Sequence, residues 1–93
     1  MYYPNLIEAM VAEVHSRANG GAPNKAIVAD IARVPAPVRA AAFAYVEACL
    51  SSAKHSGNGH EIADLRAARV ELWSDVLDEA RRIARAPQAS PLA

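Results

Sequence analysis

Apolar residues return at helical intervals in four stretches of the chain and nowhere in strict alternation, a pattern that predicts helices and no strand. In the first stretch Leu6, Ile7, Met10, Val11 and Val14 gather on one face of a helix expected over 5–19. Asn5 followed by Glu8 matches a capping box after Pro4, and Gly20 with Gly21 supplies the left-handed freedom that a helix end needs. A shorter helix is expected over 24–33, with Ile27, Val28 and Ile31 on one side and Val34 extending it, before "VPAP" at 34–37 breaks the pattern. Pro37 suits the first turn of a third helix, which is expected to run to about Ser56. Its central stripe reads Val38, Ala42, Tyr45, Val46, Cys49 and Ala53, widened on one flank by Phe43 and Leu50, with Glu47 and Lys54 on the remaining face. The last helix is expected from near Gly59 to about Ala86. Glu61 and Asp64 near its start and Arg81, Arg82 and Arg85 near its end match the helix dipole. Asp78 and Arg82, four residues apart, are expected to form a solvated pair worth about 0.3–0.5 kcal/mol.

At about 1.5 Å per residue the two later helices would be roughly 30 and 40 Å long. A very short link between them, the "SGNG" at 56–59, implies an antiparallel hairpin. The expected class is therefore all-α, a small helical bundle of three long helices plus one short helix built around that hairpin. Residues 1–86 form the domain, and the tail at 87–93, "PQASPLA", is expected to be flexible.

Composition sharpens this picture in two ways. The chain has 93 residues and is 53% hydrophobic, but alanine supplies much of that share and buries little area. The core must come from fewer, larger side chains, and a homodimer is the expected way to complete its burial. Ten basic residues balance ten acidic ones, so the net field attracts neither nucleic acid nor anionic lipid. Cys49, the single cysteine, has no partner for an intramolecular disulfide, and no stretch has the order of a signal peptide. These features point to a cytoplasmic protein. No apolar run reaches the roughly 18–20 residues of a membrane span.

The broad apolar sector of the last helix holds Ile62, Leu65, Leu72, Trp73, Val76, Leu77, Ala80, Ile83 and Ala84. It packs either on two helices of its own chain or on another protein. Trp73 and Leu77 lie toward one edge of the sector and are the leading partner-binding candidates, with Arg69 and, on the third helix, Phe43 beside them. Arg69 breaks the sector between Leu65 and Trp73. Three fates are open to it: stacking on Trp73, pairing with Glu13, Asp30 or Glu47, or laying its stem over apolar surface with its head in water.

Residues 27–46, "IVADIARVPAPVRAAAFAYV", resemble the start of a helix-turn-helix DNA-binding domain. The departures are Pro35 and Pro37 in the turn and a second helix that offers Arg39 and then "AAAFA". For catalysis the chain has no phosphate loop, nucleophile elbow or zincin helix. Carboxylate pairs such as Glu71 and Asp75, or Asp75 and Glu79, are expected simply to solvate the last helix. The stretch "AKHSGNGHEI" at 53–62 sets His55 and His60 around a turn, but with Cys49 and Glu61 it assembles no metal tetrahedron. Glu61 and Asp64 also give the start of the helix the wrong sign for an anion site. No cofactor or metal is expected. The expected function is a non-catalytic protein-protein interaction module, a regulator, adaptor or inhibitor that docks an apolar helical face and self-associates. The alternative is a DNA-binding regulator using residues 27–46.

Overall fold

The computed structural model describes residues 4–51 and 62–85. Four helices follow one another there without a strand: α1 (Pro4–Ala18), α2 (Lys25–Ala32), α3 (Ala36–Leu50) and α4 (Ile62–Arg85). The all-α class expected from the pattern is what the chain adopts. The "SGNG" turn, His55, His60, Gly57 and the tail at 87–93 lie outside the described residues.

Local chemistry explains where the helices begin and end. α1 starts at Pro4, one residue before the expected cap at Asn5. It closes in a double hydrogen bond, Gly20 N–H to the Arg17 carbonyl at 3.0 Å and Gly21 N–H to the Ser16 carbonyl at 2.7 Å, with Gly20 at φ +87°. This is the glycine-terminated cap, in which Gly20 is needed for its left-handed backbone and Gly21 for space, since a Cβ there would press on the Ser16 side chain and carbonyl. Asn24 then caps α2, its side-chain oxygen accepting from Ala26 N–H at 3.0 Å and Ile27 N–H at 3.3 Å. Between α2 and α3 the chain turns through Pro35, and Arg39 Nη1 donates back to the carbonyls of Ala32 and Val34 at 3.1 and 3.0 Å. A cation is thereby set at the carbonyl end of α2, where the helix dipole favours it. α3 stops at Leu50 with Ser51 as its cap, short of the expected end at Ser56.

One hydrophobic core joins all four helices. Met10 and Val14 of α1, Val28 and Ile31 of α2, Phe43, Val46 and Leu50 of α3, and Leu65, Leu72 and Val76 of α4 are its buried members, while Ala32, Ala42 and Ala68 let the backbones approach. α4 touches each of the other three helices, and α1 and α2 more extensively than α3. Its wide apolar sector is therefore spent mainly within the chain, one of the two uses open to it, and an α3–α4 pairing is not the main contact that builds the core.

α3 is rotated relative to the expected stripe. Its buried residues are Ala42, Phe43, Val46 and Leu50, so the presumed flank is the centre, and Tyr45, placed in the stripe, is 61% exposed. At 100° per residue the shift is roughly 60°. Alanine at 36, 40, 41, 42, 44 and 48 leaves the helix apolar nearly all round. Side-chain size, not apolar pattern, then decides which face goes in, and Phe43 and Leu50 win.

Two substitutions test these joints. Asn24→Ala should cost about 1 kcal/mol, read as a lower urea midpoint at unchanged slope, because it removes only the side-chain cap. Gly20→Ala should cost about as much from backbone strain alone, since a Cβ there meets nothing within 4 Å.

Candidate interaction surface

Two polar clusters and one uncharged face define what this chain can do chemically. The first cluster has a buried pair, Arg17 and Glu13, at its centre and two carboxylates of α4, Glu71 and Asp75, at its solvent side. Arg17, whose side chain is 2% exposed, falls three and seven residues after Val14 and Met10 and so continues the core face of α1. A guanidinium in that position must be given acceptors. Its Nε donates to Glu13 at 2.8 Å, and its Nη1 to Glu71 at 3.0 Å and Asp75 at 2.7 Å on α4. Glu13 Oε2 also accepts from the backbone N–H of Asn24 at 2.9 Å, which ties the start of α2 to the same cluster. Burial alone would lower the Arg17 pKa, but the hydrogen bonds it donates to Glu13, Asp75 and Glu71 outweigh it and hold the proton more tightly than usual. Arg17 stays charged, and the carboxylates hold it as one structural unit.

Sequence patterning alone missed this cluster. Glu71 and Asp75, expected only to solvate α4, are the acceptors that fasten it to α1. A signal was available in Glu13 and Arg17, spaced i,i+4 on the face of Met10 and Val14. The pairs further along α4 also differ from expectation. Arg82 bonds Glu79 and Arg81 bonds Asp78, each at i,i+3, so Asp78 and Arg82 do not form the expected pair.

The second cluster lies between α3 and α4. Phe43 meets Trp73 edge to face, with ring centroids 4.5 Å apart and an interplanar angle of 75°. One turn along, Glu47 sits between Arg69, at 2.5 Å from Nε, and Arg66, at 3.3 Å from Nε. The Arg69 contact is a charge contact and not an aligned hydrogen bond. Of the three fates open to Arg69, pairing with Glu47 is the one taken.

What remains outside is unusually free of charge. The charged residues of α3 are Arg39 and Glu47, one held by backbone carbonyls and the other by two arginines. Ala40, Ala41, Ala44, Tyr45 and Ala48 therefore face solvent with no charge among them. On α4, Val70 is 54% exposed, while Trp73 and Leu77 are half-buried at the adjoining edge.

The partner-binding candidates thus separate. Phe43, at 2% exposure, belongs to the core of its own chain, where its size drew it, and is corrected from a surface contact to a support for Trp73. Trp73 keeps part of its surface beside Leu77. Val70 and the α3 alanines join them, positions that escaped notice because small residues carry no pattern signal. Among the described residues no group of His, Cys, Asp and Glu is placed to hold a metal ion, and no helix is long and apolar enough to cross a membrane.

Compared with known protein families, with curated proteins and with solved structures, the chain matches none.

Replacing Arg17 by Met should destabilise the fold by about 3–5 kcal/mol, because Glu13 is left buried without its cation. Arg17→Met combined with Glu13→Gln should lose less than Arg17→Met alone. Urea denaturation of the two single variants and the double variant reads this coupling directly.

Proposed function

We propose that this chain is a non-catalytic protein-protein interaction module, a regulator, adaptor or inhibitor, that docks the outer face of α3 and α4 on a partner protein. The observation that carries the reading is the charge-free exterior of α3 beside Val70, Trp73 and Leu77, with Glu47 at its edge held by Arg69 and by the exposed Arg66. Apolar surface that is rimmed by polar groups and left uncovered marks a docking site. In this reading the chain is a bundle of three long helices and one short one, with α3 and α4 as an antiparallel hairpin. The order of contacts supports that direction, since Phe43 pairs with Trp73 while Glu47, further along α3, pairs with Arg69 and Arg66, further back on α4. The two outer faces then lie on one side of the pair. The half-exposed edge of Trp73, backed by buried Phe43, is the aromatic anchor such a surface uses. We assign the module to the cytoplasm, because Cys49 has no second cysteine to pair with.

The DNA-binding alternative over residues 27–46 is not favoured. A recognition helix needs basic and polar side chains aimed at phosphates and bases, and α3 offers Arg39, already donating to the carbonyls of Ala32 and Val34.

Leu77→Asp tests the docking reading. A tagged chain captured from a lysate of its native host, with the untagged chain also present, should retain a partner that the Leu77→Asp chain loses about tenfold or more, while helical circular dichroism stays unchanged. Equal retention by both chains, or no retained partner with the wild-type chain, overturns the reading.

A further inference from the structure

We draw no further inference here: the strongest candidate, the hollow between α1 and α4 lined by Arg17, Ala18, Asp64, Ala67, Ala68 and Glu71, is an acidic cluster over a guanidinium whose unpartnered Nη2 is closed to solvent, and nothing in the structure points to a ligand for it.

Discussion

A guanidinium taken out of water needs acceptors, and the three that Arg17 finds through Nε and Nη1 organise the molecule, while its Nη2 is buried without one. No single helix supplies them all. Glu13 comes from the preceding turn of α1, while Glu71 and Asp75 must arrive from α4, which sets the rotation and level at which the longest helix crosses the first. Glu13 is shared with the amide of Asn24, the residue that also caps α2 through its side chain. Because the cap and the ion cluster share one carboxylate, the start of α2 is located by the same interaction that docks α4. A buried pair of this kind adds little net stability over an apolar replacement. Its contribution here is to specify one arrangement among the many that an alanine-rich chain could adopt.

The other end of the molecule is arranged differently. α3 is attached through Arg39 to the end of α2, through Phe43 to Trp73, and through Glu47 to Arg66 and Arg69. Each of these attachments uses a charged or aromatic group that would otherwise face outward. The exterior of α3 is left with alanines and Tyr45, and it adjoins Val70 and Leu77 of α4. The uncharged outer face is thus a by-product of how α3 is held. Changing the attachments would change the surface.

Much of the local structure was legible in the chain itself. The apolar spacing of Met10 and Val14, and of Leu65, Leu72 and Val76, marked the buried faces of α1 and α4, because polar residues on the opposite sides give those helices a direction. Asn24 and Gly20 marked helix ends, because capping oxygens and left-handed backbone are demands of single residues. The outer face of α3 and α4 was half legible. Trp73 and Leu77 stood out as large apolar residues at the edge of a sector, whereas the alanines beside them did not.

By itself, then, the sequence determined the helical class, most helix boundaries and the inward face wherever polar and apolar residues alternate around the axis. The tertiary structure alone decided the rotation of α3 and the partners of Arg17 and Arg69 on other helices. The physical reason is the same in each case. Periodicity reports where a side chain stands on its own helix, but an ion pair or a close alanine contact depends on distances between helices, which are set only when all four pack together.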